Sequence, residues 1–247
     1  MLRVRWEDNR SWPTLVWTAP PTIAGTPGDR AGVADPETPA WRCVSSGVVG
    51  GGIGPIGWWV NAMVPREYHH PDPAGHVAQI AEGFALSGRG VGMLTAADVS
   101  QRRHARDGGV EVVATVGLGV PTWAAVRPGL GFEVDLRTID LRVGTINLLV
   151  VVPVPLGDAA LVNAVVTATE AKTQALVEAD VPGTGTASDA VCIACPAAAA
   201  GLPQPQEYGG PRSEFGEPIA RAVHAAVAAG TANWLSSTGR GDWRGPV

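Results

Sequence analysis

Two neighbouring stretches decide how the fold is interpreted, Thr167-Ala-Thr-Glu-Ala-Lys-Thr173 and Gly183-Thr-Gly-Thr-Ala-Ser-Asp189. The first lies where small apolar residues recur at helical spacing, which predicts a helix from Asp158, as its N-cap, to about Ala179. The second is rich in glycine and hydroxyl side chains, which predicts a turn before a strand over Ala190 to Cys195. The two stretches together predict a helix, a glycine-rich turn and a strand in succession.

Lys172 is the feature of this helix that first suggests chemistry, because it is the only lysine among the chain's 18 Lys and Arg residues. A composition that otherwise uses arginine, and keeps an ammonium at one position, indicates that this position needs the compact donor and not the planar guanidinium. The alternative interpretation is a solvated charge on the helix surface.

The composition of the 247-residue chain indicates a globular protein, since 45% of its residues are hydrophobic and 17% are charged. Its formal net charge of -5 argues against nucleic acid as a partner, because few cations are available to neutralise phosphates. We predict a single domain over residues 1–235 and a flexible tail over residues 236–247.

The sequence also predicts a protein of the reducing cytoplasm, without a membrane partner. Its longest apolar run, Ile146 to Val152, ends at Pro153 and is too short to span a bilayer. The first residues contain no apolar segment of the kind found in signal peptides. The three cysteines, an odd number, do not suit a disulfide framework.

Alternating or continuous apolar segments predict the strands of the fold. They cover Leu2–Trp6, Leu15–Trp17, Trp41–Ser46, Trp58–Val64, Gly90–Leu94, Val110–Leu118, Phe132–Leu136, Ile146–Val152 and Ala190–Cys195. Two more helices are predicted, from the N-cap Asp72 to about Leu86 and over Ile219 to Ala229. We expect an α+β fold in which mixed sheets pack against helices; a doubly wound α/β sheet is the alternative.

The chain contains a weak internal repeat. Asn61, the helix from Asp72 and the strand leading to Thr95-Ala-Ala-Asp98 recur in the same order as Asn147, the helix from Asp158 and Thr186-Ala-Ser-Asp189. We therefore expect two similar strand–helix–strand halves, related by a pseudo-twofold axis that brings the two Thr-x-x-Asp turns into equivalent places.

Gly52-Ile-Gly54-Pro-Ile-Gly57 matches the residue pattern of a dinucleotide-binding fingerprint, but its context does not fit one. Such a fingerprint opens a helix, whereas here the extended apolar run from Trp58 follows. Gly50, Gly51 and Gly52 can still expose backbone amides to a ligand oxygen, with a mobile loop as the alternative.

Several residues of the two opening stretches could act on a substrate. Glu170 and Lys172 are two positions apart, so on a regular helix they point about 200° away from each other and cannot pair. The turn that follows supplies the hydroxyls of Thr184 and Thr186 with bare amides, which suits an oxyanion. Asp189 lies at the start of the next strand, where a carboxylate needs a partner or a ligand.

Three other groups carry weaker signals. Ser45 and Ser46 precede the glycines, where a serine could act as a nucleophile, although no nucleophile elbow accompanies them. The histidines at positions 69, 70 and 76 are metal-ligand types in a short span, with a polar loop as the alternative. Cys192 and Cys195 have redox spacing but lie in an apolar strand, so we interpret both as packing residues.

Six blocks of the chain, over about residues 41 to 230, belong together. They are Ser45-Ser46 before Gly50-Gly51-Gly52, Asn61, Leu94-Thr-Ala-Ala-Asp98, Thr169-Glu-Ala-Lys-Thr173, Gly183-Thr-Gly-Thr186 with Asp189, and Tyr208-Gly-Gly-x-x-Ser213-x-x-Gly216. This set resembles the adenosylcobinamide amidohydrolases. The resemblance implies an enzyme of corrinoid salvage that cleaves the amide between the corrin side chain and aminopropanol, giving adenosylcobyric acid.

Cleavage of an unactivated amide needs a nucleophile, oxyanion stabilisation and a proton for the leaving amine. Our hypothesis is that Glu170 or Asp189 deprotonates a water while Lys172, with the amides of Gly183 to Thr186, stabilises the oxyanion or protonates the amine. Ser46 as a covalent nucleophile is the second hypothesis. The predicted substrate contacts are Ser45, Gly50, Gly51, Gly52, Asn61, Thr95, Asp98, Asn147, Thr169, Thr184 and Thr186.

The substrate is the only partner that we predict, and a homo-oligomer is compatible with the sequence. No protein-bound metal or cofactor is expected, since the cobalt belongs to the corrinoid substrate. A corrin needs a broad apolar cleft, for which Trp58 and Trp59 are the best wall residues. The rival functions are a corrinoid-binding protein without hydrolysis and a metal-dependent hydrolase of another small substrate.

Overall fold

The computed structural model describes residues 3–7, 12–20, 40–65, 67–125 and 144–239. The predicted strand at Phe132–Leu136, most of the proline-rich segment that precedes Trp41 and the predicted tail beyond Gly239 lie outside these residues. Within them, every other strand and helix expected from the sequence is present, and two further strands are added.

The strands and helices follow in chain order. The strands are β1 (Val4–Glu7), β2 (Thr14–Thr18), β3 (Trp41–Ser45), β4 (Gly52–Pro55), β5 (Trp58–Met63), β6 (Gly90–Thr95), β7 (Arg103–Asp107), β8 (Val110–Gly117), β9 (Thr145–Val151) and β10 (Ala190–Pro196). The helices are α1 (Pro73–Gly83), α2 (Asp158–Glu178) and α3 (Gly216–Thr238), with one turn of 3-10 helix at Val99–Gln101.

Two mixed sheets form the centre of the molecule, in the strand orders β1-β2-β5-β6 and β4-β3-β10-β9-β8-β7. Only β5–β6 and β9–β10 pair in parallel, and each of these pairs is joined through a helix. Every other pairing is antiparallel. The fold is therefore α+β as predicted, and the doubly wound alternative is excluded because its sheet would be mainly parallel.

The sheets lie face to face, with a helix layer on each outer side. Trp59 and Met93 of the smaller sheet pack against Leu149 and Cys192 of the larger one. Helix α1 covers the outer face of the smaller sheet, whereas α2 and α3 bury the outer face of the larger sheet beneath alanine-rich surfaces. Small residues let helices approach closely, which explains why alanine dominates this layer.

A repeat is visible in the topology of the two sheets. In both β1-β2-β5-β6 and β7-β8-β9-β10 an antiparallel hairpin is followed by an antiparallel strand, a helix and a parallel strand. The predicted match of the two Thr-x-x-Asp turns is nevertheless wrong. Thr95-Ala-Ala-Asp98 follows β6, whereas Thr186-Ala-Ser-Asp189 precedes β10.

Three local expectations need correction. The N-cap of α2 is Gly157, and the side chain of Asp158 forms an ion pair with Arg42 of β3 instead of capping the helix. The N-cap of α1 is Asp72 as predicted, since its carboxylate accepts from Gly75 N at 2.9 Å, but the helix ends at Gly83. Trp58 is buried between the smaller sheet and α1, and Trp59 is buried between the two sheets, so neither forms a cleft wall.

None of the helices in the described part of the chain has the length and apolar character that a bilayer-crossing segment requires.

Candidate active site

The ammonium of Lys172 is ion-paired with Asp189 Oδ2 between α2 and the start of β10. Lys172 lies on the buried face of the helix, and the side chains of the pair are only 8% and 12% exposed. Water therefore screens this pair weakly, and each charge depends on the other for its solvation. The lone lysine is not a solvated surface charge.

The Asp189 carboxylate is fully occupied by donors. Its Oδ1 accepts from Ile146 N at 3.0 Å and from the Thr186 hydroxyl at 2.5 Å. Its Oδ2 accepts from Thr186 N at 3.2 Å as well as from Lys172. Because a carboxylate offers about four lone-pair positions, none remains for a water molecule. The geometry makes Asp189 a group that positions the ammonium, which leaves the predicted base role without support.

The glycine turn is built around this ion pair. A side chain on Gly185 would overlap both Lys172 Nζ and Asp189 Oδ2, so a larger residue there would have to displace at least one of the paired groups. The hydroxyl of Thr173, the residue after the lysine, donates to Thr184 O at 3.1 Å and ties the turn to α2. The turn therefore closes over the ammonium and fixes its direction.

The amides of this turn are largely used within the protein. Gly183 N donates to Val181 O at 2.8 Å, and Thr184 N donates to Thr122 O at 2.9 Å. Thr186 N is bound to the carboxylate described above, and the Thr184 hydroxyl accepts from Ala124 N at 3.0 Å. The amides of Gly183, Thr184 and Thr186 are therefore already bound within the protein, which leaves Lys172 as the principal donor for the predicted oxyanion site.

Glu170 and Thr169 do not join this cluster. Both are exposed on α2, and Thr169 Oγ1 donates to Val165 O at 2.8 Å. The helical spacing already implied that Glu170 and Lys172 point apart. The acidic partner of the lysine is thus Asp189, 17 positions further along the chain.

Asn61 and Asn147 meet between the two sheets, where they are 0% and 1% exposed. Asn147 Nδ2 donates to Asn61 Oδ1 at 2.9 Å and to Leu94 O at 2.8 Å, while Asn61 Nδ2 donates to Thr115 Oγ1 at 3.0 Å. Asn147 Oδ1 is buried without a partner among the described residues. Both predicted substrate contacts are therefore enclosed, one residue from the Ile146 amide that binds Asp189.

Thr95 and Asp98 serve the turn that follows β6. The buried Thr95 hydroxyl accepts from Ala97 N at 3.0 Å, and Asp98 Oδ1 accepts from Ser100 N at 2.9 Å as the cap of the 3-10 turn. Ala97 packs against Gly117 at the end of β8. This turn thus lies at the sheet end that holds the ion pair, but its polar side chains are used locally.

Ser45 and Ser46 lie at the same sheet end, beside the first residues of β10. Ser45 is buried and its hydroxyl accepts from Gly47 N at 2.9 Å. Ser46 is exposed, and its hydroxyl accepts from Val191 N at 3.0 Å, two residues after Asp189. Its proton is therefore free for a further bond, which keeps it a candidate nucleophile.

Gly50, Gly51 and Gly52 are explained by the backbone conformation and close packing of their loop. Gly50 and Gly52 adopt positive φ angles of 69° and 86°, a region that disfavours other residues. A side chain on Gly50 would overlap Gly90 O of β6, and one on Gly51 would lie 2.9 Å from Gly47 O. These contacts hold the loop against the smaller sheet and account for the glycines without a ligand.

Sequence reasoning missed four groups of this site. Thr145 Oγ1 and Ser188 Oγ are 3.0 Å apart beside Asp189; Thr145 belongs to no recognisable motif, and Ser188 lies in the quoted turn without a predicted role. The Ile146 amide carries no signal either, because any residue supplies a backbone N–H. Gly185 lies inside the quoted turn, and its role follows only from the overlap described above.

The histidines and cysteines behave differently from a metal or redox centre. No group of three or more His, Cys, Asp or Glu residues is arranged to hold a metal ion in the described ranges. Cys192 and Cys195 are free and buried, and their side chains lie in different core layers. Burial raises the pKa of Cys195 to about 11, so this thiol is a packing group, as predicted.

Comparison with known proteins gives the family of the chain. The family model described as adenosylcobinamide amidohydrolase matches residues 30–239, most of the chain. A protein named adenosylcobinamide amidohydrolase from Methanosarcina mazei is 28% identical over 195 residues, covering 77% of this chain and 90% of its own length. One of the same name from Halobacterium salinarum is 35% identical over 147 residues, covering 60% of this chain and 59% of its own.

The matched range contains the lone lysine, its carboxylate partner and the turn that encloses them, together with the whole larger sheet and strands β5 and β6 of the smaller one. The chain belongs to the adenosylcobinamide amidohydrolase family.

Proposed function

We propose that this protein hydrolyses the amide that joins aminopropanol to the corrin side chain of adenosylcobinamide, releasing adenosylcobyric acid and aminopropanol. The observation that carries the proposal is the enclosed Lys172–Asp189 pair at the end of the larger sheet, in a chain of this family. A shielded ammonium of fixed direction is suited to charge that develops on a carbonyl oxygen.

In the proposed reaction Lys172 donates to the carbonyl oxygen of the scissile amide. One of its three N–H bonds is held by Asp189, and the other two can serve the oxyanion and the departing amine. Asp189 is the positioning residue, because its own donors, Thr186 and the Ile146 amide, prevent it from turning away.

The attacking group is a water molecule: its oxygen bonds to the carbonyl carbon, the C–N bond breaks, and the departing amine takes the water proton. The Ser46 hydroxyl is the alternative. In the serine route the oxygen forms an ester with the corrin carboxyl as the C–N bond breaks, the amine takes the serine proton, and water then hydrolyses the ester. Mass spectrometry of acid-quenched enzyme distinguishes the routes: a corrinoid adduct on Ser46 supports the serine, and its absence during turnover supports water.

A paired replacement tests whether the ion pair does more than stabilise the fold. Removing one partner leaves a buried charge unpaired, whereas replacing both with apolar residues of similar size is often neutral for stability. We expect Lys172→Met with Asp189→Leu to remain folded and lose aminopropanol release by at least about a hundredfold, roughly 2.7 kcal/mol in the barrier. The readouts are thermal unfolding and chromatography of both products.

The matched control is the ion pair between Arg221 of α3 and Asp107 of β7, whose atoms approach to 2.6 Å and whose side chains are 51% and 29% exposed. Its replacement by Arg221→Met with Asp107→Leu should leave turnover unchanged. If the buried double variant kept full activity, the assignment of the reaction to this pair would be wrong.

The same assay separates the rival functions. A corrinoid-binding protein would hold adenosylcobinamide tightly and release no aminopropanol. A metal-dependent hydrolase of another substrate would lose its activity with a chelator and leave adenosylcobinamide intact. The proposal includes a location in the reducing cytoplasm, which the three free and buried cysteines support.

A further inference from the structure

A second site candidate lies at the N-terminal end of α1, away from the ion pair. It is an open cavity of about 540 Å³. Its walls are Trp12, Pro65, Glu67, Tyr68, His69, His70, Pro71 and His76. None of the residues assigned above to the hydrolysis lines it, and its aromatic and imidazole rings have no role in the proposed reaction.

Stacked rings form one wall of the cavity. The rings of His70 and His76 are 5.1 Å apart with their planes 25° from parallel, and Tyr68 stacks on His76 at 5.6 Å. Trp12 meets His76 edge-on at 4.6 Å. The Tyr68 hydroxyl is 2.8 Å from His76 Nδ1, which fixes both rings. The wall is aromatic and largely apolar, which suits packing against the rim of a macrocycle.

His69 stands free of this stack and presents a nitrogen lone pair. Its Nδ1 is 2.5 Å from Glu67 O, and because a carbonyl oxygen only accepts, Nδ1 carries the proton. Nε2 therefore keeps its lone pair on an exposed ring. A backbone carbonyl bound to the remote nitrogen is the support that metal-ligating histidines usually have.

A free metal ion needs three or four converging protein ligands, and no such cluster exists in the described residues. A corrinoid cobalt needs only one, because the macrocycle nitrogens and the adenosyl carbon already fill its other positions. Cobinamide carries no nucleotide base of its own to occupy the remaining axial site. A single imidazole beside an apolar aromatic wall matches this requirement.

We propose that His69 Nε2 ligates the cobalt of the bound corrinoid on its free axial face, with the ring wall packed against the macrocycle. This inference rests on the proposed function, since it names a further contact with the same substrate. The imidazole holds the corrin in place, and Lys172 acts on the side chain that projects from its rim.

The cavity follows the C-terminal end of β5, and this end of the smaller sheet lies beside the end of the larger sheet that holds the ion pair, since Ala97 after β6 contacts Gly117 of β8. The cavity begins at Pro65, directly after Val64, whose N–H donates to Thr95 O at 2.9 Å. Four residues of extended chain, about 13 Å, separate Pro65 from Asn61 beside the buried site. The side chains of a corrin project outward from its rim, so the scissile amide lies some distance from the cobalt. We therefore expect His69 to hold the cobalt and Lys172 to contact the amide at a separate place.

Electron paramagnetic resonance tests the contact directly. Full-length protein is mixed with the cobalt(II) form of cobinamide, which does not itself supply a nitrogen axial ligand. Coordination by one imidazole nitrogen should split each cobalt hyperfine line of the bound corrinoid into a triplet. We expect His69→Ala and His69→Gln to lose the triplet and to raise KM for adenosylcobinamide about tenfold, with kcat little changed.

His224→Ala is the matched control, since this imidazole lies on α3 against Glu178 at 2.7 Å and should retain the triplet. Circular dichroism shows whether each variant is folded. Wild-type protein that hydrolyses adenosylcobinamide but shows no nitrogen splitting would overturn this inference and leave the proposed function standing. A triplet that persists without the His69 imidazole would also overturn it, and wild-type protein that neither binds nor hydrolyses the corrinoid would overturn both.

Discussion

Asn147 Nδ2 donates a hydrogen bond of 2.9 Å to Asn61 Oδ1, and this bond joins the two sheets inside the core. Asn147 adjoins Ile146, whose amide holds Asp189, so the link fixes the strand that orients the ion pair. Both amides are enclosed, and their loss would leave buried polar groups without partners.

We therefore predict that Asn61→Ala and Asn147→Ala each destabilise the protein by about 1–3 kcal/mol. The double variant should lose less than the sum of the two, because either change already breaks the shared bond. Urea unfolding of the three variants measures the coupling. Strict additivity would mean that the two side chains act independently.

Lys172→Arg is predicted to lower kcat by at least about tenfold, or 1.4 kcal/mol. The charge is retained, but the planar guanidinium is larger than the ammonium enclosed by Gly185 and Asp189. Steady-state release of aminopropanol gives the rate, and the melting temperature shows whether the pocket has adapted. Equal turnover would show that charge alone suffices at this position.

Gly185→Ala is predicted to cut turnover at least about tenfold, because its methyl group would displace the ammonium or the carboxylate. Overpacking should also cost about 1–3 kcal/mol of stability. Gly83→Ala is the matched control, since open space surrounds that position at the end of α1 and alanine favours the helix. Normal activity of the Gly185 variant would contradict the enclosure described here.

Stability is predicted to depend on His76 below neutral pH. Burial, and secondarily the neighbouring His70, lowers the pKa of His76 from its usual value near 6.5. A lowered pKa means that the unfolded chain takes up the proton first, so the stabilisation is complete above about pH 6.5 and is lost as pH falls through the lower folded value. Urea midpoints from pH 8 to pH 5 should fall less steeply for His76→Gln than for the native chain. Identical slopes would remove His76 as the cause.

The sequence predicted the fold best where the local residue pattern determines the secondary structure. The apolar run Leu15 to Trp17 and the Asp72-Pro73 helix start each corresponds to an observed element. Strand β4 escaped notice because its glycines resemble a loop, and β7 because its Arg and Asp residues belong to a polar sheet edge.

Part of the candidate site could be predicted for a similar reason. Lys172 and the turn containing Gly185 stand out by composition, and Asp189 lies in the same motif. The pairing of Lys172 with Asp189 instead of Glu170 depends on how α2 returns to β10, and the Ile146 amide reaches the carboxylate through sheet register. Such long-range contacts produce no periodic residue pattern, so a single sequence does not predict them.

Strand β3 is encoded in the first half of the chain, yet it pairs with β10 near the end of the second. A cut after Gln101 would therefore separate β3 and β4 from the rest of the larger sheet. The second fragment would lack the strand that pairs with β10, and the first would keep β3 and β4 without the sheet to which they belong. We expect each fragment alone to be unfolded or aggregated, and the mixture to reassemble into one active particle.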